Sequence, residues 1–150
     1  MSAEEVTDDL HGVAERRLRR IDQRYTSGRR AIVELLVSAG HPVSIGDIAE
    51  RLPALPRSSA YRHLTDLQAA GLIRRVAASD EFTRFELAED LTEHHHHLLC
   101  VSCGKVTDVT PSSAFERQVS RTIDELAVDL GFEPHGHRLD VLGLCAGCRA

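Results

Sequence analysis

Two cysteine pairs, Cys100-Val-Ser-Cys103 and Cys145-Ala-Gly-Cys148, hold all four Cys of the 150-residue chain and constrain its fold more than any other feature. A C-x-x-C turns on a tight knuckle that points two thiolates at one cation. Two knuckles make a tetrahedral four-sulfur site, the geometry zinc prefers. Gly104 follows the first pair and Gly147 lies inside the second, where a knuckle needs little side chain. The start, MSAEEVTDDLHGVAERR, has no apolar core and no cleavage-like site, so no signal peptide is expected and the setting is read as cytoplasmic. A reducing compartment disfavours a structural disulfide pair. A redox C-x-x-C is the rival reading, but one such pair would suffice and no thioredoxin-like pattern surrounds either. The expectation is structural Zn(II) tying the end of the chain to its middle.

Hydrophobic residues at 42% and charged residues at 27% describe an ordinary globular composition. No apolar run approaches the ~20 residues that span a bilayer, so no membrane partner is expected. Trp is absent and aromatics are 4%, which gives poor support to a base-stacking platform for single strands. The net charge of −5 hides an uneven distribution: residues 16–75 carry twelve Arg against five acids, a net of +7. Such a segment can neutralise phosphates whatever the total charge, although an Arg-rich solvated surface gives the same count.

Residues 11–23 read as a basic helix. Thr26 or Ser27 can cap a second helix, GRRAIVELLVSAG, which Gly40 ends. After the His41-Pro42-Val43 turn, Ser44 can cap a short third helix stopped before Pro53. Pro56 precedes a fourth, RSSAYRHLTDLQAAG, with Ala60, Leu64, Leu67 and Ala70 at helical spacing. LIRRVAAS and TRFELA, separated by Asp80-Glu81, then read as a hairpin. Helices followed by a hairpin, with an Arg-led last helix, is the grammar of a winged helix-turn-helix, against a generic helical subdomain with a β-ribbon.

The second half reads as strand (Lys105–Val109), helix (SSAFERQVSRTIDELAVDLG, after Pro111) and strand (His137–Leu144) leading into the second Cys pair. Phe115, Val119, Ile123, Leu126 and Leu130 share one face of that helix. The boundary between the halves lies near residues 87–93. The fold class is therefore α+β: a winged-helix domain over 1–88, then a small α/β domain over 89–150.

His94, His95, His96 and His97 precede the first Cys pair. In an extended chain alternate side chains point to opposite faces. His95 and His97 then face one way and His94 and His96 the other, two metal pairs on one strand. Candidates to complete the first are Glu86, His41 and Asp108; for the second, Glu116 and His137, with His135 a weaker competitor. A site joining His41 to His95 and His97 would clamp the halves in one orientation, and its occupancy would bias a hinge. Mixed nitrogen and oxygen ligands suit Fe(II), Mn(II), Zn(II) or Ni(II).

Over roughly residues 24–148 the segments RSSAYRHLTDLQAAGLI, RFEL, HHHHLLCVSCGKV and GHRLDVLGLCAGC, in that order, resemble the ferric uptake regulator (Fur) family of metal-responsive bacterial repressors. The resemblance implies a DNA-binding winged helix, an α/β dimerisation domain and a homodimer on a palindromic double-stranded operator. It implies structural zinc at Cys100, Cys103, Cys145 and Cys148. It implies a regulatory Fe(II), Mn(II) or Zn(II) at His41, Glu86, His95 and His97, with Asp108 as occasional fifth ligand, and an additional metal at His94, His96, Glu116 and His137. The implied DNA contacts are Arg57, Ser59, Tyr61 and Arg62 on the recognition helix, Arg24 near the minor groove and Arg29 on phosphate. The His41-Pro42 and RFEL segments look most like the iron- and manganese-responsive branches, including the peroxide sensors. Two extra residues separate Glu86 from the His run, which leaves Glu89 and Asp90 as competitors for its place.

The function read from this is a metal-dependent repressor of metal-homeostasis or oxidative-stress genes, with no catalytic residues. A zinc hydrolase or deaminase is the enzymatic alternative, but there is no H-E-x-x-H and neither Cys pair follows a Pro. A metal-storage or metallochaperone module is the other, opposed by the basic segment over 16–75.

Overall fold

A computed structural model describes residues 3–77 and 79–149, so Met1, Ser2, Ala150 and Ala78, the last within an expected strand, lie outside the described residues. The chain divides into two compact units, Met1–Glu93 and His94–Ala150, five residues beyond the boundary expected at 88.

In the first unit α1 spans Ala3–Arg19, α2 Ser27–Ala39, α3 Ile45–Arg51 and α4 Arg57–Ala69. Helix α1 starts earlier and ends sooner than the expected 11–23, because Asp22 turns the chain with φ at 56°. Gly40, at φ 63°, ends α2 in the left-handed conformation that glycine adopts without penalty. Ser44 caps α3 through a reciprocal box: its hydroxyl accepts from the Asp47 N–H, and the Asp47 carboxylate accepts from the Ser44 N–H at 2.7 Å. Strands β1 (Val43–Ser44), β2 (Ile73–Ala77) and β3 (Thr83–Leu87) form an antiparallel sheet in the order β1-β3-β2, with Val43 opposite Phe85 and Ile73 opposite Leu87. The core is fully buried Leu18, Ile32, Val33, Val43, Ile48, Leu67 and Leu72, drawn from all four helices, β1 and the turn before β2. This is a winged helix-turn-helix, with α4 in the recognition position and β2–β3 as the wing.

In the second unit β4 (His96–Cys100) is the central strand, flanked by antiparallel β5 (Val106–Val109) and parallel β6 (Asp140–Gly143). Strand β6 is shorter than the expected 137–144: the ladder begins where Asp140 meets His97. Helix α5 spans Ser113–Leu130; Ser112 is its N-cap, Pro111 lying one residue outside, and Gly131 ends it. Only Ala127 of α5 is buried. Phe115, Leu126 and Leu130 of its apolar stripe, with Leu142 of β6, stay open to solvent in the single chain.

Candidate metal centres and nucleic-acid interface

Each Cys knuckle closes a turn, at the end of β4 and just past β6, so the parallel pairing of these strands brings the knuckles together. The Cys100, Cys103, Cys145 and Cys148 sulfurs lie within 4.8 Å of one another, and Cys103 Sγ is 3.7 Å from Cys145 Sγ with no disulfide. Four sulfurs about 2.3 Å from a central zinc stand roughly 3.8 Å apart, so the spacing fits that ion. The Cys145 and Cys103 backbone N–H groups pull the Cys100 thiol down to about 6. Hydrogen bonds from Cys148 and Cys103 lower Cys145 as well. Ser102 favours the Cys148 thiolate, but Cys145 and Cys103 outweigh it and push that thiol up to about 11. Four thiolates this close need a cation to be charged together, which is the chemistry of a zinc site.

The alternation of the His run separates two further groups. On one side the His94 and His96 rings are 4.7 Å apart edge to face, and Glu116 of α5 reaches both, with oxygens 3.2 Å from His94 Nε2 and 2.9 Å from His96 Nε2. His137 Nε2 stands 3.1 Å from Glu116 but makes no hydrogen bond, although it is buried. A buried imidazole nitrogen left without a hydrogen bond in a cluster of ligand atoms suits a divalent cation. Burial raises the Glu116 carboxyl, but the His96 hydrogen bond and the positive charge His96, His94 and His137 can carry hold it below its ordinary range.

On the other side the His95 and His97 rings are 5.0 Å apart, and these residues with Asp108 of β5 place ligand atoms within 4.8 Å of one another. Asp140, which the sequence reading passed over, bonds His97 Nδ1 at 2.9 Å. Its signal was the β4–β6 register, which no single strand pattern reveals.

His41 and Glu86 belong to the first unit. His41 is exposed on the turn after α2, its Nδ1 3.1 Å from the Pro42 carbonyl. Glu86 sits on β3 opposite Arg74 of β2 and is ion-paired to it. Arg74 also stands 3.5 Å from Glu89, and Arg17 pairs with Asp90. The competitors for the place of Glu86 are therefore themselves engaged by arginines.

Helix α4 buries Ala60, Leu64 and Leu67 and leaves Arg57, Tyr61 and Arg62 exposed, with Ser59 half-buried. A groove between α4 and the wing adds Gln68, Arg75 and Thr83, which the sequence reading missed. Arg24 is exposed. Arg29 is not: it is 6% exposed and donates to the Arg24 carbonyl, to Gln23 Oε1 and to Asp66 of α4. The expected phosphate contact for Arg29 is corrected accordingly, since its guanidinium is spent inside the unit holding the α1–α2 turn to α4.

The ferric uptake regulator family profile matches residues 20–142. The chain belongs to this family. The peroxide operon regulator of Bacillus subtilis (strain 168) is 30% identical over 99% of this chain and 96% of its own length. Among solved structures, the Vibrio cholerae ferric uptake regulator superposes with a TM-score of 0.66 at 26% identity, over 85% of this chain and 96% of that one. The Pseudomonas aeruginosa ferric uptake regulator with manganese gives 0.68 at 25%, over 89% and 98%. As a Fur-family protein the chain is a metal-dependent, DNA-binding transcriptional repressor, with structural zinc and a regulatory divalent metal as its cofactors.

Proposed function

We propose that this Fur-family repressor works in the cytoplasm as a homodimer whose winged helices, residues 1–88, grip a palindromic operator when a regulatory cation is bound. The second unit, from His94 on, forms the dimerisation domain. Cys100, Cys103, Cys145 and Cys148 hold structural zinc. His95, His97 and Asp108 offer the regulatory cation their share of ligands, and Glu86 and His41 of the first unit complete the set on the family pattern. His94, His96, Glu116 and His137 hold an additional ion. The observation that carries this reading is the His run leading into β4, which sends alternate imidazoles to two separate carboxylate-bearing clusters. The uncovered apolar stripe of α5 supports the dimer.

Bound metal supplies a positive charge that the clustered carboxylates and imidazoles share. The chain's own residues do the rest. Arg57, Ser59, Tyr61 and Arg62 meet the major groove, Tyr61 through apolar contact with a thymine methyl, and Arg24 meets the backbone near the minor groove. A cation joining the two units fixes the spacing of the recognition helices to that of two half-sites. Electrophoretic retardation of operator DNA, titrated separately with buffered Fe(II), Mn(II), Zn(II) and Ni(II), tests this. His97→Ala abolishes the metal dependence and leaves a folded dimer; an unfolded variant, or unaltered metal dependence, overturns the assignment.

Peroxide sensing is a second reading, favoured by the Bacillus relative's name and by Asp108 beside His97. Iron-loaded protein exposed to hydrogen peroxide then gains oxygen on His41 or His95. Peptide mass spectra showing neither His modified would end it.

A further inference from the structure

His97 occupies the centre of a row that crosses the second sheet: Asp108 on β5 and Asp140 on β6 are its direct cross-strand neighbours. Its two ring nitrogens therefore meet different carboxylates. Nε2 is 3.8 Å from Asp108 Oδ1, too long for a hydrogen bond. Two ligands each about 2.1 Å from one ion can stand up to roughly 4.2 Å apart, so that gap suits a shared cation. Nδ1 is 2.9 Å from Asp140 Oδ1, an ordinary hydrogen bond. On the neighbouring residue the Leu139 N–H lies 3.3 Å from His96 Nδ1, and His96 Nε2 faces Glu116 at 2.9 Å. The His97 N–H in turn bonds the Leu139 carbonyl at 3.2 Å and pins the strand register that aligns these groups.

We propose that Asp140 is the positioning residue of the regulatory centre: by accepting from His97 Nδ1–H it fixes the tautomer whose Nε2 lone pair faces the cation. The proposal rests on the reading of His97 as a ligand. Its physical content is that of a carboxylate behind a metal-binding imidazole: the carboxylate fixes ring orientation and makes the lone pair a better donor, and its loss costs about 10–100-fold in metal affinity. Asp140 does this from an edge strand, where its side chain is 44% exposed, so removing it opens no cavity in a core.

The test uses full-length, zinc-loaded protein without regulatory metal. Nitrogen-15 NMR of the histidine rings shows His97 protonated on Nδ1 in the wild type; protonation on Nε2 overturns the proposal without any variant. Mn(II) affinity, read by electron paramagnetic resonance of the free ion, falls about 10–100-fold in Asp140→Leu. It falls less in Asp140→Asn, whose amide oxygen still accepts from Nδ1–H. Zinc content and dimer mass stay at wild-type values in both. Unchanged Mn(II) affinity in Asp140→Leu, alongside lost affinity in His97→Ala, overturns the positioning role and leaves His97 a ligand. Unchanged affinity in His97→Ala overturns the ligand reading and the proposal together.

Discussion

Arg29 and Arg62 look alike in the sequence and do different things. Arg29 is buried with a carboxylate, an amide oxygen and a carbonyl around it, and Asp66 is its charge partner. Removing one member of a buried pair strands the other, a loss of about 3–5 kcal/mol. Arg29→Met is therefore expected to lower the thermal midpoint clearly, and its DNA binding, measured well below that midpoint, should keep the wild-type salt dependence. Arg62 lies exposed on α4. Arg62→Ala should leave the midpoint within experimental scatter, weaken binding, and reduce the slope of log affinity against log salt by about 1 if it meets phosphate. Calorimetry and a salt titration separate the two. The distinction was invisible in the sequence because the partner of Arg29 is 37 residues away. The metal-ligating types were easier to read. Cysteine and histidine at short fixed intervals point to a shared cation before any fold is known, whereas Asp140 is an unremarkable acid until β6 is laid against β4.

Among the elements, the short ones depend most on their ends. Helix α3 has only seven residues, so its reciprocal Ser44–Asp47 cap carries a large part of its local stability. Ser44→Ala should cost about 1 kcal/mol, read from urea unfolding midpoints. The cap is also acid-sensitive. Burial raises the Asp47 carboxyl, but the Ser44 amide and hydroxyl, with Arg84 and Arg51 nearby, more than reverse this and hold it below its ordinary range. A depressed folded value means the stabilisation is complete above the unfolded carboxyl's ~3.9 and is lost as pH falls through the folded value. The gap between wild type and Ser44→Ala should thus narrow on acidification below about pH 4, the uncharged Asp47 N–H to Ser44 hydroxyl bond remaining; a constant gap would show that the charge contributes nothing. Caps of this kind, with Gly40 and Gly71 past the helix ends, are why the helix-turn-helix was legible: each is a local signal. Strand β6 was legible only in part. Alternation ran from His137 to Leu144, but a ladder needs a partner, and β4 supplies one only across His97–Cys100. The α5 stripe was legible as a face, yet among the described residues Phe115, Leu126 and Leu130 stay exposed.

For the molecule as a whole, the proposed dimer through that stripe and the proposed regulatory cation would belong to one equilibrium. Leu126 and Leu130 stand one helical turn apart, 63% and 80% exposed, an arrangement a second copy can bury. Leu126→Glu with Leu130→Glu should sediment as a monomer that keeps its zinc and retards operator DNA poorly, because half-site spacing requires two winged helices held together. A dimer of unaltered mass would move the interface elsewhere. If the cation selects the DNA-gripping arrangement, linkage imposes a stricter requirement. Metal can tighten operator binding only by the factor to which operator tightens metal binding. An operator fragment selected from random duplexes lets both sides be measured. The ratio of DNA dissociation constants without and with saturating Mn(II) must equal the ratio of Mn(II) dissociation constants without and with saturating DNA. His97→Ala should bring both ratios to unity together. A large ratio on the DNA side beside none on the metal side would mean that the metal acts through some other process, such as loss of unfolded protein, and not through the geometry of the grip.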